Sequence, residues 1–131
     1  MRLLRSVAAV ASGLGFMAAT VRVGVLLASA VAGTPQPSND GLTAYLFLNL
    51  LICGAGAILG GWLAARIASF APYGHAAVMA VIVALSVSTA TGEPAAGSPG
   101  WYPSALGLVA VVGVLLGGKL RAAASKGPVV A

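Results

Sequence analysis

Acidic residues are almost missing from this 131-residue chain: Asp40 and Glu93 are the only two, beside a single histidine and a single cysteine, and charged residues make up 7% of the total. Each shortage excludes a class of function. General acid and base catalysis by paired carboxylates needs two acids at one place, whereas these stand in two separate Gly and Pro rich loops. Cys53 alone allows no internal disulfide. His75 alone, with no Cys, Asp or Glu near it in the chain, gives no metal-ligand spacing. The glycines fall inside hydrophobic runs rather than in a loop between strand and helix, which removes a phosphate-binding turn. The sequence therefore predicts no enzyme, no catalytic residue, no cofactor and no metal site.

What the chain has instead is apolar length. Hydrophobic residues make up 60% of it, against a soluble norm in which about a quarter of residues are charged and wet the surface. Four runs stand out, roughly 7–32, 42–68, 74–91 and 101–120, each near the ~20 residues a helix needs to cross hydrocarbon. They are bounded by breakers: Gly33, Pro35 and Pro37, then Gly41, then Pro72 and Gly74, then Gly92, Pro94, Pro99 and Gly100. None shows a polar face at helical period, as suits a helix surrounded by lipid. All are too long and too unalternating for barrel strands. The expected fold is an all-α integral membrane protein, an antiparallel bundle of four transmembrane helices. Residues 1–126 form one transmembrane domain and 127–131 a short cytoplasmic tail.

Six of the seven Lys and Arg flank alternate ends of these runs: Arg2 and Arg5, then Arg66, then Lys119, Arg121 and Lys126. The other two loops carry the two acids instead. Positively charged flanks stay in the cytoplasm, so both termini are expected there, in a bacterial inner membrane. Trp62, Phe70 and Tyr73 then mark the inner interface, and Tyr45, Trp101 and Tyr102 the outer one. The net charge of +5 reads as anchoring to anionic headgroups, and its scatter gives no basic face with stacking aromatics for nucleic acid. A second reading of the N-terminus exists. Arg2, Arg5, an apolar stretch and Ala30-Val31-Ala32 resemble a secretory signal with its cleavage site, although the stretch is long for one and Arg22 interrupts it.

An internal repeat overlies the four runs. Gly33, Pro35 and Gly41 share a Gly-x-Pro-x5-Gly spacing with Gly92, Pro94 and Gly100. Tyr45, Gly56, Leu59, Gly60, Gly61 and Leu63 recur at constant offset as Tyr102, Gly113, Leu116, Gly117, Gly118 and Leu120. Two duplicated helical hairpins in parallel orientation would explain both patterns, and chance matching in a chain rich in Gly, Ala and Leu would too. Gly56 with Gly60, and Gly113 with Gly117, form Gly-xxx-Gly pairs. Small residues let helix backbones approach where no hydrophobic force drives association, so these four are expected at helix contacts, within the chain or between copies.

Arg22 is the one charge well inside a run, away from its ends. At 1.5 Å per residue it stands about 16 Å below Gly33, where an arginine costs at least about 2.5 to 3.5 kcal/mol on insertion scales and marks a partner, a cavity or water. Asn49, about 12 Å below Gly41, is the expected partner, with Thr20, Ser86 and Ser88 completing a polar pocket. Snorkelling of Arg22 to the outer interface is the bland alternative. The serines and threonines from Ser86 to Thr91 are expected to bond back to helix carbonyls.

The stretch Gly15-x-x-Ala18-Ala19-x-x-Arg22 resembles the first-helix pattern of the small four-span fluoride channel family, and Asn49 is similar to an asparagine of that family's second helix. The third run lacks the family's Thr-Thr-Phe-Ser sequence and its phenylalanines, so the resemblance covers about a fifth of the chain and implies no membership. Small multidrug transporters carry a first-helix glutamate that this chain lacks. Two functions follow. The first is a bundle acting by interaction, as an accessory subunit or a self-associating scaffold, whose partners are the lipid bilayer and a second copy or another membrane protein. The second is a small channel or transporter for an anion or other solute, dimeric and using Arg22 with Asn49.

Overall fold

The structure is a computed structural model in which residues 2–32, 39–68, 71–89 and 99–125 are described. Among them the chain is all-helical, with four helices: α1 (Arg2–Ala32), α2 (Asn39–Ile67), α3 (Pro72–Thr89) and α4 (Tyr102–Ala124). Every one is rich in Ala, Leu and Val, whose packing rather than a polar stripe decides what it buries. Proline opens α3 at Pro72 and lies in the first turn of α4 at Pro103, where the missing N–H has no intrahelical acceptor to lose. At the other end of α4 the Ser125 N–H donates to the Arg121 carbonyl at 3.1 Å and closes the last turn.

Three helices, α1, α2 and α4, are long and apolar enough to cross a membrane. The third is shorter as far as the described residues run, to Thr89, and within them its apolar part, Tyr73–Val87, falls short of a standard span. Its 18 residues rise about 27 Å, slightly less than a ~30 Å hydrocarbon core. The other helices overshoot their runs, α1 starting at Arg2 and α4 continuing through Lys119 and Arg121 to Ala124. Hydropathy reports the solvent a segment prefers, whereas hydrogen bonding carries the helix on past that boundary. Of the two Gly-x-Pro-x5-Gly segments, residues 33–38 and 92–98 lie outside the described residues, as do Phe70, Lys126 and the 127–131 tail, while Asn39, Asp40 and Gly41 belong to α2 and Pro99 and Gly100 precede α4.

The turn between α2 and α3 is tight. Ala71 adopts φ 47°, a left-handed conformation that costs a residue with a Cβ roughly 1–2 kcal/mol. Its carbonyl accepts from the Gly74 N–H at 3.0 Å and the His75 N–H at 3.4 Å, and His75 Nδ1 donates to the same oxygen at 3.0 Å.

Packing is centred on α2, which lies against α1 on one side and α4 on the other, while α3 lies mainly against α4. The core is made of small residues around two larger ones. Met79 and Val114 are wholly buried among Ala57, Ala64, Ala76 and Ala80. On the α1–α2 seam, a Cβ at Gly13 would lie 2.8 Å from the Ala64 Cβ and 2.9 Å from the Gly60 carbonyl oxygen. On the α2–α4 seam, one at Gly61 would run into the backbone of Val114, and one at Gly117 into the backbone of Ile58 and Trp62. On the α3–α4 seam, Gly118 lies against Ala76 and Gly107 against Val87.

These seams do not follow the sequence repeat. Gly60 meets α1 at Gly13 and Met17, while its counterpart Gly117 meets α2; Gly61 meets α4, while its counterpart Gly118 meets α3. A two-fold relation exchanging the hairpins would put each pair against exchanged neighbours. Here matched glycines serve different seams, because α2 packs against all three other helices whereas α4 packs against α2 and α3 alone.

Candidate functional site

The chemistry-bearing side chains are divided by helical periodicity. On α1 the residues that reach α2 are Gly13, Met17, Thr20, Val21 and Gly24. Arg22, 100° further round than Val21, points off that seam and is exposed. On α2 the stripe facing α1 is Ile52, Gly56 and Gly60, whereas Ala57 and Gly61 meet α4 at Gly113 and Val114. Asn49 belongs with this second stripe, at steps of four residues from Cys53, Ala57 and Gly61, and so reaches α4.

The expected pairing of Arg22 with Asn49 is therefore not made. Asn49 Nδ2 donates to the Tyr102 hydroxyl at 2.5 Å, and its buried Oδ1 has no hydrogen-bond partner among the described residues. Depth separates the two residues as well. Thr20 faces Gly56 and Gly24 faces Ile52, so Arg22 is level with about Gly54, five residues or about 8 Å along α2 from Asn49. Thr20 joins neither: its hydroxyl donates to the Phe16 carbonyl at 2.9 Å, and its Cβ would lie 3.4 Å from a Cβ on Gly56. Ser86 likewise donates to the Ile82 carbonyl, at 2.8 Å. The side chain of Ser88 lies outside the described residues.

Arg22 instead lines a groove of about 680 Å³ between α1, α3 and α4. Leu14, Met17, Ala18 and Val21 form its α1 wall, Val83, Ser86 and Val87 its α3 wall, and Leu106 and Ala110 its α4 wall, with Cys53 of α2 at the base. Cys53 is 3% exposed and packs with Val83 and Ala110. A second groove, about 420 Å³, separates α1 from α3 further along, between Val7, Val10 and Ala11 on one side and His75, Val78 and Ile82 on the other. Between the two, Met79 reaches across to α1, its Sδ 3.0 Å from where a Gly13 Cβ would stand. Leu14 lines both grooves, so the two adjoin beside this contact.

All four Gly-xxx-Gly residues, Gly56, Gly60, Gly113 and Gly117, are buried against other helices of the same chain. Among the described residues no three His, Cys, Asp or Glu gather into a metal-sized group. Two features went unread in the sequence. Tyr102 appeared only as an interfacial aromatic, although an asparagine and a tyrosine near the same end of two runs are a natural hydrogen-bonded pair. The groove itself has no sequence signature, because it arises from how far α1 and α3 diverge.

At the ends of α2 and α4, the Arg66 guanidinium lies 5.1 Å from the Trp62 ring centroid, and Trp101 packs edge-on against Tyr102 with centroids 6.1 Å apart. Comparison with protein-family models, with curated proteins and with solved structures finds no match for this chain.

Proposed function

We propose that the chain is an integral protein of the bacterial inner membrane, an antiparallel bundle of four spans with both termini cytoplasmic, which acts by interaction as an accessory subunit or self-associating scaffold rather than as an enzyme. Contact registers support the topology. As residue numbers rise along α1 through Gly13, Thr20 and Gly24, their partners on α2 fall through Gly60, Gly56 and Ile52. Between α3 and α4, Ala76 meets Gly118 and Val87 meets Gly107, again in opposite senses. Arg66 over Trp62 at one end, and Trp101 with Tyr102 at the other, suit interfacial belts.

One observation carries the reading: every helix shows large apolar side chains to its surroundings. Leu4 and Leu26 on α1, Leu51 on α2, Leu85 on α3 and Leu108 on α4 are each at least 60% exposed. Apolar surface on that scale belongs against lipid or protein. The window of α1 is 17% buried against 33% for α2 and α4, so of these three α1 has most surface left for a partner. The alternative, an anion channel or transporter, loses its single-chain site, since Arg22 and Asn49 face different seams.

Reconstitution tests the choice. The purified chain in liposomes is expected to resist alkaline extraction and to pass no halide or phosphate under an imposed gradient. Sustained anion flux that Arg22→Leu abolishes would replace the interaction reading with the channel. Release of the chain by alkali would remove both.

A further inference from the structure

We propose that the groove headed by Arg22 holds one acyl chain of an anionic phospholipid, with the headgroup on the guanidinium. The inference rests on the membrane reading above and adds a ligand to it.

Three observations converge on this occupant. The first is charge: among the described residues Arg22 is the only charged one lining the groove, and the remaining walls are apolar apart from Ser86, whose hydroxyl donates to the Ile82 carbonyl. Among the described residues no acid stands at the level of Arg22: of the sequence's two, Asp40 lies in the first turn of α2, 14 residues or about 21 Å along it from Gly54, and Glu93 is outside the described residues. A second copy of the chain brings the same shortage, so it cannot neutralise Arg22. An anion from the lipid can.

The second is shape. Leu14 to Arg22 spans eight residues, about 12 Å of helix, so the apolar wall runs inward from beneath the charge. At the inner end Leu14 is shared with the second groove, and the wholly buried Met79 packs beside it where α3 meets α1 at Gly13. A partner helix, about 10–12 Å across with its side chains, does not enter a seam in contact there. A single hydrocarbon chain does, and a volume of about 680 Å³ suits an occupant of that class.

The third is depth. If Ser6, next to Arg5, marks the inner edge of the hydrocarbon, Arg22 stands about 24 Å across a core of ~30 Å. The last ~6 Å is within reach of an extended arginine side chain, which then meets headgroups of the outer leaflet while its stem stays in the groove. Snorkelling and lipid capture are one arrangement here, with the groove selecting which lipid.

Native mass spectrometry of the detergent-solubilised full chain tests this, with equimolar phosphatidylglycerol and phosphatidylcholine of identical chains as probes. One phosphatidylglycerol is expected to be retained, preferred about fivefold, the electrostatic weight of one cation beside an anionic lipid. Arg22→Gln should abolish the preference, Arg22→Lys should keep most of it, and Lys119→Gln, which removes a cation outside the groove, should leave it unchanged. Ala18→Phe, which fills the groove from its exposed α1 wall, should reduce retention of both lipids. Equal retention of the two lipids by the unaltered chain overturns the proposal. So does a preference that survives Arg22→Gln, or a lipid-free dimer cross-linked through α1. None of these results touches membrane insertion, which alkaline extraction reads separately.

Discussion

Gly117→Ala should destabilise the bundle, while Gly15→Ala should not, although both add one methyl group to a helical glycine of an apolar segment. At Gly117 the new Cβ would stand well inside 3.0 Å of the Ile58 carbonyl oxygen and 2.7 Å from the Trp62 backbone nitrogen. Neither atom can rotate away, since both belong to the α2 backbone. The whole of α4 must shift outward, loosening Val114, which is 0% exposed, from its alanine neighbours. Overpacking of this kind costs about 1–3 kcal/mol, set against a gain of up to about 1 kcal/mol in helix propensity. At Gly15 nothing lies within 4 Å of the added carbon, so only the gain remains. Cys53 provides the assay. It is the chain's only cysteine and is 3% exposed, so its rate of maleimide labelling under rising denaturant in mixed micelles reads unfolding without an added probe. Gly61→Ala strikes the same seam from the other side, at the Val114 backbone. Once either methyl has pushed α2 and α4 apart, the second meets less resistance, so the double variant should lose less than the sum of the singles. Strictly additive losses, or a Gly117→Ala chain as stable as Gly15→Ala, would refute the close α2–α4 approach.

The same labelling assay serves three further predictions. Tyr102→Phe, which strands Asn49 with no partner for either end of its amide, should cost about 1–3 kcal/mol, and adding Asn49→Leu should restore much of the loss because both polar groups are then gone. Ala71→Gly should stabilise the chain by up to about 1 kcal/mol, since φ 47° is free of Cβ strain only for glycine; a loss would mean that the α2–α3 turn is built otherwise. Met79→Ala, at the wholly buried contact between α1 and α3, should cost about 2–5 kcal/mol, and an unchanged midpoint would show that Met79 is not packed against Gly13 and the surrounding alanines. Independently, reporters fused at either end should both read cytoplasmic, and one external terminus would break the proposed topology.

The all-helical class and the approximate place of each helix were legible in the sequence because they depend on composition and on breakers such as Pro72 and Gly100, which act locally. The tendency of glycines to gather at helix contacts was equally legible, being a matter of side-chain size. Which seam each glycine serves was not. Gly60 and Gly117 occupy matching places in the repeat yet meet different helices, since the position of α2 between α1 and α4 is settled by all the seams together. Depth counted from loop glycines put Arg22 and Asn49 at similar levels, and this is where linear reasoning failed. The count ignores both the offset between α1 and α2 and the rotation of each helix, and together these send Asn49 to Tyr102 and leave Arg22 at the mouth of a groove. Sequence alone determined how much of this chain avoids water, because transfer free energy sums over residues one at a time. Only the tertiary structure decided which polar groups meet, because that depends on angles and offsets between helices that no single segment contains.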